Sequence, residues 1–169
     1  MAPLNPEHLF EQALELTESA AGRPRQADLR RAISTAYYGL FHAALTAAAD
    51  LFVGAANRST GRYELVYRSV DHKWLRTLCD EATKQPVSAK LAPYVSPGGF
   101  CADLKRFATA VIDLQEQRNT ADYDPSLYVT RSEAHTKVAA AQDAFARFQA
   151  VPDAERIGFL TLLLFKPRN

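Results

Sequence analysis

Arg118 stands where a helix would be expected to carry leucine. Counting back from it in steps of three and four gives Leu114, Val111, Phe107, Leu104 and Phe100, one apolar stripe of the kind that faces a core. A guanidinium at the next position of that stripe suits two tasks. Its planar fork can hold a phosphate or carboxylate through two parallel hydrogen bonds, or it can close an ion pair with a neighbouring acid. The residues after it keep both open, because Asn119, Asp122, Tyr123 and Asp124 crowd polar groups into the same corner. Asp122 falls on the same face as Arg118 if the helix continues. A simpler alternative stands beside these: an arginine at a helix end can reach solvent over its long stem and favour the C-terminal dipole.

A second polar set lies inside "AYYGLFH". Tyr38 and His42 are spaced i, i+4 and share one helix face. Tyr37 and Tyr38, each taken alone, read as core aromatics with a satisfied hydroxyl. His42 is not settled by its spacing. His72 opens a helix at the edge of the stripe formed by Leu75 and Cys79, so it too can point inward. Imidazoles titrate near neutrality and serve as general acids and bases. His8 and His135 fall on solvated faces. No H-x-x-x-H, H-E-x-x-H or C-x-x-C pattern occurs, so neither a metal nor another cofactor is expected. Cys79 and Cys101 read as free thiols. There is no glycine-rich phosphate loop or nucleophile elbow, and "SPGGF" is a plain loop leading into a helix.

These side chains need elements to hold them, and almost every signal is helical. "NPEHLFEQALELTESA" opens with Asn5 as N-cap and Pro6 at the first helical position, and Gly22 and Pro24 close it. "ADLRRAISTAYYGLFHAALTAAADLFVG" is the longest periodic segment. Leu29, Ile33, Ala36, Leu40, Ala43, Ala47 and Leu51 form one stripe there, and Tyr37, Phe41, Leu45, Ala48 and Phe52 an adjacent one. A helix apolar over so much of its circumference belongs in the middle of a bundle. "RYELVYRSV" is a short helical candidate, and "DHKWLRTLCDEATK" reads as a helix capped by Asp71. "QPVSAKLAPYVSPGG", rich in proline and glycine, is the main surface loop. The helix over 98–119 carries Arg118 at its end. Pro125 then forces Asp124 out of the α region, which makes "DYDPSLYVT" a non-helical corner. Thr130 and Glu133 form a capping box for the next helix, and a last helix comes after Pro152. The expectation is one all-α domain over residues 1–169, an antiparallel helical bundle of about five to seven helices. Its centre should be the 28–53 and 98–119 helices, packed antiparallel.

With 169 residues and 47% hydrophobic content the chain has material for a core, which excludes a disordered protein. A net charge of +1 gives no global attraction to nucleic acid or membrane. Contact with RNA would come from a local patch, or from two patches joined in a dimer. The first residues lack the basic and apolar runs of a leader. "IGFLTLLLF" is the most apolar segment and falls well short of the ~20 residues that span a bilayer. A cytoplasmic protein without membrane contact is expected.

Two segments together resemble a known family. "LRRAISTAYYGLFHAAL", followed further on by "LQEQRNTADYDP", is similar to the HEPN domain of prokaryotes, and "YRSVDHKWLR" between them fits the same kind of sequence. The likeness runs from the central helix to the helix after Asp124. It implies a helical bundle that forms a homodimer, with Arg118 facing a cleft near the two-fold axis and the polar Asn119 next to it. Many HEPN domains are metal-independent ribonucleases of toxin–antitoxin, abortive-infection and CRISPR systems. Others bind nucleotides or nucleic acid without cleaving, or act as scaffolds. In the ribonucleases a histidine comes soon after the arginine; here that window holds Tyr123, Asp124 and Pro125, and the next histidine is His135.

That departure matters chemically. Metal-free RNA cleavage needs a base for the 2′-hydroxyl and an acid for the leaving oxygen, and histidine suits both. Tyrosine, titrating near ~10, does not. The resemblance therefore implies a HEPN-like homodimer that binds RNA, a nucleotide or other phosphate ligand, or a partner protein. The cleft would be lined by Arg118, Asn119, Asp122, Tyr123 and Tyr38. A nucleotidyltransferase antitoxin or another defence-system protein is the partner the family implies. The alternative is a metal-independent ribonuclease toxin in which His42 or His72 supplies the missing acid/base beside Arg118. A third reading is structural, with Arg118 paired to Asp122 or Asp124 to fix the corner.

Overall fold

The computed structural model describes residues 4–18, 22 and 24–167. Its described α-helices are α1 (Pro6–Glu18), α2 (Gln26–Val53), α3 (Gly61–Tyr67), α4 (His72–Thr83), α5 (Ala102–Tyr123), α6 (Arg131–Ala150) and α7 (Asp153–Leu164). No strand occurs among the described residues, and the class is all-α, as expected. Local chemistry sets several of the helix starts. Asn5 Oδ1 accepts from the Glu7 N–H at 3.0 Å, and Asp71 Oδ1 from the Trp74 N–H at 2.6 Å. Thr130 and Glu133 cap each other's backbone groups in the reciprocal box that their spacing foretold. Gly22, at φ +106°, and Pro24, where the first helix was expected to close, are both non-helical, and residues 19–21 lie outside those described.

Helix α2 is the hub: α1, α3, α5, α6 and α7 all pack against it. Leu29, Ala32, Ala36, Tyr37, Leu40 and Ala44 have no exposed surface. The two expected stripes hold along most of the helix and fail in its last turn, where Leu51 and Phe52 are exposed. The core ends at Ala49, the last buried residue of α2, so the final turn of the helix overhangs it. By length and composition α2, and not the segment of α7 singled out above, could cross a bilayer. More than half of its most apolar window (56%) is buried inside the bundle.

Helix α5 runs antiparallel to α2. Arg30 near the start of α2 reaches Ala121 and Asp124, Ser34 reaches Asp122, and Tyr38 reaches Arg118. Leu104, Phe107, Val111 and Leu114 are buried as their spacing required. The limits of α5 differ from expectation at both ends. Gly99 has φ +77°, a left-handed conformation, and Phe100 is buried ahead of the helix, which starts at Ala102. At the other end α5 continues beyond Arg118 to Tyr123. Arg30 makes this possible: its Nε donates to Ala121 O and its Nη2 to Asp124 O, both at 2.6 Å. Those are carbonyls that a helix end otherwise leaves unpaired. Asp124, before Pro125, is extended at φ −88°, ψ 108° and stops the helix. A small satellite core of Leu29, Ile33, Ala121, Val129 and Ala134 seals this corner. Gln26 pins it by donating to Val129 O and accepting from Val129 N–H.

Helix α1 comes close to α2 at Gly39. A Cβ there would stand 2.3 Å from Cε1 of Phe10, which is itself buried. Gly39→Ala should therefore destabilise the fold by about 1–3 kcal/mol, the usual cost of overpacking. In denaturant unfolding the loss should shrink in a Phe10→Ala background, where the clashing ring is absent.

Candidate functional site

The stripe-breaking arginine is held between α2 and α5. Arg118 Nη2 donates to the Tyr38 hydroxyl at 2.8 Å, and the guanidinium carbon lies 5.3 Å from the Tyr38 ring centroid and 6.0 Å from that of Tyr37. Nε is 3.0 Å from Asp122 Oδ2, off line for a hydrogen bond, so the contact is ionic. Nη1 donates to the exposed Asn119 Oδ1 at 3.3 Å. A guanidinium has five N–H bonds. With Tyr38 and Asn119 each taking one and Nε facing Asp122, one N–H on each Nη has no partner among the described residues. The Arg118 side chain is 18% exposed, neither buried away nor free in solvent.

His72 lies near enough to feel its charge, and His42 packs on the Tyr38 ring. Tyr37, fully buried, places its hydroxyl 2.8 Å from His72 Nδ1, and the Tyr67 hydroxyl is 2.6 Å from His42 Nδ1. The His72 ring stacks on Phe41 at 3.8 Å and meets Tyr38 edge-on at 5.9 Å, while His42 stacks on Tyr38 at 6.2 Å. Burial pushes the Tyr37 phenol well above its ordinary range and raises the Tyr67 phenol, so both keep their protons at neutral pH. The imidazoles move the other way. Burial lowers His42 and the neighbouring His72 lowers it further. His72 is lowered by burial and by Arg118, with Asp71 pulling weakly back.

Near neutral pH both imidazoles are therefore uncharged, each carrying a single N–H. A phenol donates and accepts equally well, so the Nδ1 contacts fit either tautomer. Each Nδ1 is engaged by its phenol, and Nε2 is the ring nitrogen left over. Gln115, one turn before Arg118, donates weakly to His72 O at 3.4 Å. Among the described residues no group of His, Cys, Asp and Glu is arranged to hold a metal ion.

Of the residues singled out by sequence, the structure brings Arg118, Tyr38, His72, Asn119 and Asp122 together, and His42 joins them through the Tyr38 ring. Tyr123 is 76% exposed at the last position of α5 and takes no part in the hydrogen bonds of the cluster. Asp124 also stands apart, its carboxylate accepting from the N–H and hydroxyl of Ser126, so the acid beside Arg118 is Asp122 alone. His8 and His135 are exposed, as their faces implied. Tyr37 has the core role expected of it, but its hydroxyl is also what orients His72. Ser34, Arg30 and Tyr67 were missed. A groove of about 1070 Å³ between α1, α2, α6 and α7 shares none of the cluster's residues, and its arginines, Arg58 and Arg156, are each paired with an aspartate.

No family model, curated protein or solved structure matches the chain. The likeness to HEPN domains rests on the quoted segments alone.

The lowered imidazoles have a consequence for stability. Relative to an ordinary value of 6.5, the unfolded chain binds protons that the folded histidines refuse. Stability should therefore be full above pH 6.5 and fall as the pH drops from there through the folded-state values of His42 and His72. Thermal melts between about pH 7.5 and about pH 5 should show this slope, and replacing both histidines by glutamine should flatten it.

Proposed function

We propose that this chain is a HEPN-like module that binds a phosphate-bearing ligand, RNA or a nucleotide, at Arg118. The observation that carries the reading is the set of unspent donors. Arg118 keeps one free N–H on each Nη, which an oxyanion can take, and the neutral imidazoles of His72 and His42 stand around the same Tyr38 ring. Nothing in that binding requires either histidine to be charged. The likeness to HEPN domains supplies the rest of the proposal: a cytoplasmic homodimer working in a defence or toxin–antitoxin setting.

The ribonuclease reading is favoured by one specific observation, the proximity of His72 to Arg118, with His42 next to Tyr38, without any local motif. It is opposed by the sequence, which has no histidine in the window after Arg118 that the ribonucleases use. The Nδ1 contacts with Tyr37 and Tyr67 leave only Nε2 of each ring for proton transfer.

Fluorescence anisotropy with a labelled single-stranded RNA, and competition by ATP, test the proposal. Wild type should bind in a salt-dependent manner. Arg118→Ala should weaken binding by about one to two orders of magnitude, the range for hydrogen bonds to a charged group. The same variant should lose only about 1 kcal/mol of stability, because Asp122 keeps its Ser34 partner and is not stranded in a dry interior. With EDTA present the RNA should stay intact. Cleavage abolished by both Arg118→Ala and His72→Ala would establish the nuclease reading instead, and cleavage that survives loss of Arg118 would put the site elsewhere. In sedimentation at micromolar protein a dimer is expected, and monomer alone would remove the shared cleft.

A further inference from the structure

An arginine side chain gives up about 2 kcal/mol of rotamer entropy when it is fixed. A guanidinium that waits in one place for its ligand therefore needs anchors of its own. Tyr38 is one, bonded to Nη2, and Asp122 is another, 3.0 Å from Nε. Asp122 stands one turn further along the same helix with its side chain 26% exposed, and by itself it would exchange rotamers in solvent. Ser34 prevents this. Its hydroxyl lies 2.5 Å from Asp122 Oδ1, while its contact with Arg30 O in its own helix is long at 3.4 Å. Ser34 is completely buried and belongs to α2, so the carboxylate is tied to the central helix of the bundle and not to α5 alone.

We infer that Ser34 is a positioning residue of the Arg118 site, acting through Asp122 to hold the guanidinium in the orientation an oxyanion needs. The consequence for binding rests on the proposed function; the anchoring of Arg118 does not. Ser34 makes no hydrogen bond to Arg118, so its effect has to pass through the carboxylate. Ser34→Ala is the cleanest probe because it leaves every charge in place. Asp122→Ala also removes a negative charge near the ligand, and it serves here as the background of a double-mutant cycle.

Ser34→Ala should weaken binding of the labelled single-stranded RNA by about tenfold, and Ser34→Thr, which keeps the hydroxyl, should restore most of it. In the Asp122→Ala background Ser34→Ala should have no further effect on affinity. A purely packing role would weaken binding equally in both backgrounds. A second readout needs no ligand: the NMR order parameter of the Arg118 Nε–H vector, which reports how firmly the side chain is held, should be high in wild type and lower in Ser34→Ala and in Asp122→Ala. Should Ser34→Ala fail to fold, Asp122→Ala alone gives this readout. If Arg118→Ala abolishes RNA binding while Ser34→Ala changes neither affinity nor the Nε–H order parameter, the inference is overturned and the proposed site stands. If wild type binds no RNA, the proposed function fails, and an unchanged Nε–H order parameter in the two variants would overturn the inference as well.

Discussion

Helix α2 has almost no solvent face over most of its length, yet it carries Arg30, Ser34, Tyr37, Tyr38 and His42. A polar group taken out of water without a partner costs on the order of 1–3 kcal/mol in proteins, and a charge costs more. Each of these side chains consequently draws a partner from another helix or its end. Arg30 takes backbone carbonyls at the end of α5, Ser34 takes Asp122, and Tyr38 takes Arg118. Tyr37 takes His72 at the head of α4, and His42 takes Tyr67 in α3. The meeting of α3, α4 and α5 around one cluster arises from the need to bury this one helix.

The same demand sets the electrostatic character of the cluster. Arg118 and Asp122 form an ion pair there. Tyr37, Tyr67, His42 and His72 are kept neutral near pH 7, because burial opposes charge on these phenols and imidazoles alike and Arg118 opposes it again at His72. Neutral aromatic hydrogen-bonding groups thus surround the Arg118–Asp122 pair. On the proposed reading an anion would be taken by geometry and hydrogen bonding more than by accumulated charge, in keeping with a chain whose formal net charge is only +1.

The bundle was legible because its signals are local. Asp71 and Thr130 announce their helices, and Leu104, Phe107, Val111 and Leu114 mark the buried face of α5. Arg118 was conspicuous as the break in that face, and its spacing to Asp122 was enough to foresee their contact. The end of α5 was misplaced because its cap comes from Arg30, far away in sequence, while the last turn of α5 holds no basic residue. Tyr123 looked like part of the cluster only because it is near Arg118 in sequence. Ser34 and Arg30 did leave a trace that went unread. Arg30, Ser34, Tyr38 and His42 recur at intervals of four, a polar stripe inside an apolar helix. A step of four residues turns the helix by about 40° beyond a full circle, so the stripe winds by roughly 120° overall. It therefore faces α5 at one end and α3 at the other, and no single helix face displays it.

Arg30 also links two chain segments that would otherwise fray separately. It bridges positions 91 and 94 residues away in sequence, and it satisfies the last carbonyls of α5 from the first turns of α2. If α5 loosens at Ala121, a guanidinium at the start of α2 loses its acceptors; if α2 loosens at Arg30, the end of α5 loses its cap. Such mutual dependence would make the two termini one opening unit, with Gln26 and Val129 tied into it. Amide hydrogen exchange near Arg30 and near Ala121 should then follow a single opening free energy, although the two helices share no loop.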